Sequence, residues 1–345
     1  MFPSMEFLKP LGKGSYGSVD LVKFTKPDGS KPYYQAVKSA YAQDFEYLLK
    51  EFQILSKLRN CLRIVQTFGT SLSRGANDYG IRVYRMSMEY AAAGSLSSFM
   101  ETRSLSDSMI RDFTCMILQG LASVHNHGYV HCDLKPENIL VFPRPCGSNI
   151  LYELKISDFG MSTKVGEESD IWEFDSPFLG TPLYMSPESV QNGIAEKALD
   201  LWALGCIVLE MYTREPPWPY EDSKDLVPLL LNGNAPEIPE SLPWDARQFL
   251  QTCFASNPLK RGTASELLKH TFLQNVSDQK HMRVTGAGDE KKSVVVLKSK
   301  YFPKKTLKIK IVPPKPPQFK KISNRPLRLK IIPPKAPGCN LVPVQ

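Results

Sequence analysis

The sequence predicts an α+β fold in two lobes, strand-rich first and helix-rich second. Two observations predict it. Residues 7–88 break into short runs of alternating apolar and polar residues separated by glycine turns. From Gly94–Ser95 the apolar spacing changes to the three-and-four repeat of helices, and it stays mostly so to about residue 273. Strands followed by helices, rather than alternating with them, argue for segregated layers.

The elements follow in order. FLKPLGKGSYGSVDLVKF reads as strand, glycine turn, strand. A turn at Pro27–Asp28–Gly29 leads to a third strand, YYQAVKSA. Phe45, Leu48, Leu49, Phe52, Leu55 and Leu58 then fall on one helical face. Further short strands run to Met88. LDLWALGCIVLEMY, Leu199–Tyr212, is the most apolar stretch. It is shorter than the ~18 residues a membrane span needs and carries Asp200 and Glu210, so it reads as a buried helix. The insert FPRPCGSNILYE, Phe142–Glu153, reads as a surface hairpin.

Composition separates the chain into two materials. Of 345 residues, 42% are hydrophobic, which is ordinary for a globular protein. The net charge of +8 hides an asymmetry. From Lys291 onward there are 15 Lys or Arg and no acid, so the first 290 residues hold 28 basic against 35 acidic residues. The tail repeats at a period of 20: LKIKIVPPKPP begins at Leu307 and LRLKIIPPKAP at Leu327. Each copy alternates apolar and basic residues and ends in prolines. Residues 274–290 read as a linker. The seven Cys form no C-x-x-C pair, and the start, MFPSMEFLKP, has no apolar leader core. Scattered thiols and no leader point to an intracellular protein, in cytoplasm or nucleus.

Four motifs carry chemistry. Gly12, Gly14 and Gly17 in LGKGSYGSV lack Cβ atoms, so backbone N–H groups can approach phosphate oxygens. Strand follows them, not helix, which argues against a dinucleotide-binding turn. Lys38 follows on the third strand; alone it would read as a surface lysine, just as Glu51 on the next helix would read as a solvated charge. VHCDLKPENIL, Val130–Leu140, places Asp133, Lys135 and Asn138 close together. Ser157–Asp158–Phe159–Gly160 follows, and a solitary Asp-Phe-Gly would be only a turn.

Taken in order, these motifs resemble those of protein kinases. GTPLYMSPESV resembles the end of a kinase activation segment, with Ser186–Pro187–Glu188 where Ala-Pro-Glu is usual. ALDLWALGCIVLEM resembles the buried helix of the large lobe, and Arg261 in NPLKRGTASELL matches the arginine that pairs with Glu188. The resemblance covers residues 7–273, with a small lobe at about 7–90 and a large lobe at about 91–273, ahead of the linker and the 291–345 tail. It implies a bilobal protein kinase fold. VHCDLKPENIL, GTPLYMSPE and EYAAAGSL are most similar to plant kinases at the top of MAP kinase cascades, the MAP kinase kinase kinases. The lysine two residues after Asp133 marks Ser/Thr specificity.

The resemblance implies roles. Lys38, paired with Glu51, would hold the α- and β-phosphates of ATP. Asp133 would accept the substrate hydroxyl's proton, and Lys135 would neutralise charge on the moving phosphoryl group. Asn138 and Asp158 would hold Mg²⁺. Met88 would stand behind the adenine, with the backbone of Glu89 to Ala91 bonding it. Leu11, Val19, Ala36 and Leu140 would enclose the base. Asp200 would brace the catalytic loop, and Thr181 would bond Asp133 and Lys135. Cys132 stands where the family has an arginine that reads a phosphate on the activation segment. Ser162, Thr163, Ser169, Ser176 and Thr181 remain as hydroxyls in that segment.

Other readings stay open: a kinase outside such cascades, or a nucleotide-binding scaffold without catalysis. Retained Asp133 and Asp158 weigh against the scaffold. The substrate would be a protein, such as a MAP kinase kinase. Lys304–Lys305 before Leu307-x-Ile309, and Lys320–Lys321 and Arg325 before Leu327-x-Leu329, resemble MAP kinase docking motifs. The tail's charge also suits nucleic acid or an anionic membrane, and a solubilising extension is the plain alternative.

Overall fold

In the computed structural model, residues 3–14, 17–77, 79–167, 180–219 and 223–274 are described. All of them belong to one of two units, Met1–Ala287; the other is Gly288–Gln345. The tail repeats and Ser169 and Ser176 therefore lie outside the described residues.

The small lobe is an antiparallel five-stranded sheet in the order β1-β2-β3-β5-β4. Its strands are β1 (Ser4–Gly14), β2 (Gly17–Thr25), β3 (Tyr33–Tyr41), β4 (Thr67–Ala76) and β5 (Arg82–Met88). The predicted glycine turn joins β1 to β2, pairing Gly14 with Gly17. Period-2 alternation sorts the β3 side chains: Ala36, Lys38 and Ala40 share one face. Helix α1 (Phe45–Lys57) joins β3 to β4 and buries Leu48, Glu51, Phe52, Ile54 and Leu55. Leu48, Phe52 and Leu55 are the predicted stripe. A buried Glu51 is not what a solvated helix charge would give.

The large lobe contains α2 (Leu96–Thr102), α3 (Asp107–Asn126), β6 (Tyr129–Val130), β7 (Ile139–Cys146), β8 (Asn149–Ile156) and β9 (Thr163–Lys164). It continues with α4 (Pro187–Asn192), α5 (Lys197–Thr213), α6 (Ser223–Leu231), α7 (Trp244–Cys253) and α8 (Ala264–Leu267). The helical expectation is interrupted between α3 and α4, where β6 pairs with β9 and β7 with β8. The insert at 142–153 is the outer part of the β7–β8 hairpin, as expected.

Helix caps set the helix starts. Ser95 and Thr263 form capping boxes with Ser98 and Glu266. Ser106 accepts from the Met109 N–H at the start of α3. Helix α5 is buried almost all round, from Leu199 to Leu209, which explains its lack of a polar face. The lobes join where Ile64 bridges Ile156, with the Val65 N–H donating to the Ile156 carbonyl at 2.9 Å.

Candidate active site

Three elements distant in sequence bring the first constellation together. Lys38 on β3 donates to Glu51 of α1 at 2.7 Å and to Asp158 at 2.9 Å. Glu51 is 2% exposed, and its other oxygen accepts from the Phe159 N–H at 3.3 Å. Burial alone would lower the lysine's pKa, but Glu51 and Asp158 outweigh it and hold the ammonium well above its ordinary value. The two carboxylates then part ways. Burial and the neighbouring Asp158 charge push Glu51 up. Burial also opposes ionisation of Asp158, yet Lys38 holds it below the usual carboxylate range. Asp158 has a φ of 59°, an uncommon backbone for a non-glycine and a feature of strained functional turns.

The second constellation forms around Asp133. Its Oδ1 accepts from the Thr181 hydroxyl at 2.6 Å. Its Oδ2 lies 2.8 Å from Lys135 Nζ and accepts from Asn138 Nδ2 at 3.1 Å. Lys135 Nζ also donates to the Thr181 oxygen at 2.7 Å. Loop and activation segment are therefore knotted by charge-assisted bonds. Gly180 has a φ of 105°, and a Cβ there would lie 2.5 Å from the Cys132 carbonyl oxygen. The segment can approach the loop this closely because residue 180 is glycine.

Beneath the loop, Asp200 of α5 accepts from the backbone N–H groups of His131 at 2.9 Å and Cys132 at 3.1 Å. His125 Nε2 lies 2.8 Å from the same carboxylate. These bonds outweigh burial and keep Asp200 below the usual range. His131 donates from Nε2 to the Ser157 carbonyl, and its ring meets Phe159 edge-on at 5.0 Å. Arg261 clamps Glu188 with two bonds, one of them 2.9 Å, and its guanidinium lies 4.9 Å over the Trp202 ring.

Cys132 has a φ of 67° and is 7% exposed. It packs with Val130, Ala195 and Leu199, against Met161 and Val165. Burial, helped by the Asp200 charge, pushes its thiol well above the ordinary cysteine value. That is an inert environment, not a redox-poised one.

The remaining expected residues lie on the small-lobe sheet, the connection between lobes and β7. Leu11, Gly12 and Gly14 lie on β1, Gly17 and Val19 on β2, and Ala36 beside Lys38 on β3. Ala36 pairs with Met88 at the end of β5. Glu89 and Ala91 follow in the connection between lobes, and Leu140 lies on β7, bridged to Ser95. Sequence reasoning missed two partners. Glu89 binds Lys155 of β8 through its carboxylate. Glu210 accepts from the Tyr184 hydroxyl at 2.7 Å. A lysine inside the apolar end of β8, Leu154-Lys155-Ile156, was the available signal for the first.

The oxygens of Asp158 and Asn138 fit a hard divalent cation. Asn138 turns its amide nitrogen toward Asp133, which leaves its oxygen facing elsewhere. Two oxygen ligands suit an ion that keeps waters and phosphates in its other positions.

Comparison with known proteins agrees with this geometry. The family model for the protein kinase domain matches residues 5–273. Mitogen-activated protein kinase kinase kinase 20 of Arabidopsis thaliana is 34% identical over 270 residues, covering 76% of each chain. Mitogen-activated protein kinase kinase kinase 18 of the same plant is 36% identical, over 77% of this chain and 76% of its own. Mitogen-activated protein kinase kinase kinase 17, also from Arabidopsis, is 32% identical, over 80% of this chain and 71% of its own. Among the described residues no helix is long and apolar enough to cross a membrane. The chain belongs to the protein kinase family: it is a serine/threonine protein kinase that uses ATP and a divalent metal, and it resembles the plant MAP kinase kinase kinases.

Proposed function

We propose that this kinase acts at the top of a MAP kinase cascade, phosphorylating Ser or Thr of a MAP kinase kinase with Mg²⁺–ATP. The observation that carries its chemistry is the pair of assembled constellations, Glu51–Lys38–Asp158 and Asp133–Lys135–Asn138. Asp133 orients the substrate hydroxyl and takes its proton. A hydroxyl, that of Thr181, already sits 2.6 Å from Asp133 Oδ1, the reach a general base requires. Lys135, beside the same carboxylate, faces the charge of the transferring group. Lys38, kept protonated by Glu51, holds the α- and β-phosphates. Asn138 and Asp158 hold Mg²⁺, which when bound neutralises phosphate charge. Leu11, Val19, Ala36 and Leu140 enclose the adenine beside Met88, and Gly12, Gly14 and Gly17 let backbone approach the phosphates. The Glu89 N–H is taken by the Gln66 carbonyl at 3.0 Å, so the base bonds the Glu89 carbonyl and the Ala91 backbone.

The cascade role is supported by the names of the relatives. Cysteines scattered along the chain without a C-x-x-C pair support an intracellular setting. We place docking of MAP kinases in the two tail repeats, where basic residues precede alternating apolar ones. The test is full-length protein with Mg²⁺, labelled ATP and a panel of MAP kinase kinases beside a generic basic protein. Phosphoserine or phosphothreonine on a panel member is expected. Labelling of the generic protein alone sinks the cascade role, and phosphotyrosine sinks the substrate class. A peptide of residues 300–340 titrated against MAP kinases tests the tail, and loss of binding on Leu307→Ala with Ile309→Ala together with the matching pair Leu327→Ala with Leu329→Ala is expected.

A further inference from the structure

The connection between the lobes carries a partly buried ion pair with no part in the roles above. The Glu89 carboxylate accepts from Lys155 Nζ through both oxygens at 2.8 Å. It also accepts from the Gln66 backbone N–H at 2.9 Å. Lys155 is 6% exposed, and its ammonium lies 5.2 Å over the Phe142 ring. Gln66 is itself fixed, its amide donating to the Cys61 and Ile64 carbonyls and accepting from the Asn60 N–H. One carboxylate thus ties together the segment before β4, the interlobe connection and β8.

The position of Lys155 gives the tie a consequence. On the β7–β8 ladder Lys155 pairs directly with Leu140, and residues so paired share a face of the sheet. Three residues later, two past the end of the same strand, the chain reaches Asp158. The strand pair that carries the floor of the adenine pocket and leads into a metal-site residue is therefore bonded to the residue whose carbonyl faces the base. A charged bond with both partners mostly out of water resists displacement far more than an exposed pair does.

We propose that Lys155 is a positioning residue for the nucleotide, acting through Glu89 to hold the adenine-binding connection in register with β7–β8. Breaking the pair leaves the connection free to shift, so ATP affinity falls while phosphoryl transfer, once ATP is bound, continues. The inference rests on the reading that the adenine lies beside Met88 and Glu89.

The experiment measures kcat and the ATP KM of full-length Lys155→Met, Lys155→Arg and Glu89→Gln proteins, with a melting curve for each. Lys155→Met is expected to raise KM about tenfold with kcat within about twofold. Lys155→Arg should recover most of that loss, because guanidinium can still serve both carboxylate oxygens. Glu89→Gln should move KM the same way by a smaller factor, and it decides the matter if Lys155→Met does not fold. A Met88→Gly protein tests the underlying reading separately. It should accept an ATP analogue with a bulky N6 substituent, and refusal overturns the pocket assignment. If Met88→Gly accepts the analogue while the Lys155 and Glu89 variants keep the wild-type KM, or lose kcat alone, the positioning role is overturned.

Discussion

The active site has two sides that treat charge in opposite ways. Around Lys38, carboxylates gather on a cation: one ammonium lies between Glu51 and Asp158 at 2.7 and 2.9 Å. Around Cys132, where the family carries a phosphate-reading arginine, the neighbours are Val130, Ala195 and Leu199. The groups proposed to touch ATP, metal and hydroxyl are all present, and where the family's phosphate-reading arginine would stand there is apolar packing. Order on the second side comes instead from a close backbone approach and from the Asp200 carboxylate beneath the loop. Gly180 lies against the Cys132 carbonyl, and the Cys132 N–H is held by Asp200.

The sharpest way to break the comparison is to damage the charged side. Asp158→Asn removes the carboxylate while keeping shape. It should lower kcat by about three orders of magnitude, on the order of 4 kcal/mol of transition-state stabilisation. The melting temperature should stay within a few degrees. A folded Asp158→Asn protein with wild-type turnover contradicts the metal-holding role. Lys38→Met should cost about two orders of magnitude and, by leaving Glu51 buried without its cation, should also lower stability.

The apolar side can be tested through its thiol. Cys146 is exposed and Cys132 is buried, with its thiolate opposed by burial and by Asp200. Alkylation of native protein, read by peptide mass spectrometry, should label Cys146 about a hundredfold faster than Cys132. Comparable rates would mean that the segment around Cys132 opens readily. A smaller effect is expected from phosphatase treatment. With no arginine at position 132, removing activation-segment phosphate should lower activity by less than about tenfold, since the charge-assisted pair that such a phosphate rewards is missing. A drop of several orders of magnitude would mean that another cation serves as the latch.

What the sequence disclosed of these two sides follows from what each demands of residue type. Phosphate approach demands glycines, proton transfer a carboxylate, metal binding oxygens, so Gly12, Asp133 and Asp158 stand out as candidates by kind and order. β1 to β3 were legible because alternation is a local property. Burial is not local. Glu51 reads as an ordinary helix charge until β3 and Asp158 surround it. Glu89 and Lys155 lie 66 positions apart, and nothing in either neighbourhood names the other. β6 and β9 have two residues each, too few for any periodicity. The apolar setting of Cys132 depends on Ala195 and Leu199 arriving from the far side of the activation segment.

Glu210 of α5 supplies the smallest and most specific test, because the bond to its carboxylate comes from a neutral group. Its partner is the neutral Tyr184 hydroxyl. Burial pushes its pKa up to about 7, and the nearby Glu137 charge adds to the rise. The unfolded chain would release this proton near the ordinary value of 4.5. Between those values the folded state binds the extra proton, so stability falls as pH rises through this window and levels off above it. Glu210→Gln keeps the shape and an acceptor for Tyr184 but has no proton to lose. At about pH 8 the variant should be more stable than the parent by about 1 kcal/mol, allowing for partial solvent exposure. At about pH 5 the advantage should shrink toward zero, because Glu210 is then protonated in the folded protein. Urea unfolding of both proteins at the two pH values reads the difference directly. A gap that stays constant between them means that the carboxylate is as well satisfied as those around Lys38, and the contrast between paired and unpaired charge does not extend to this corner of the lobe.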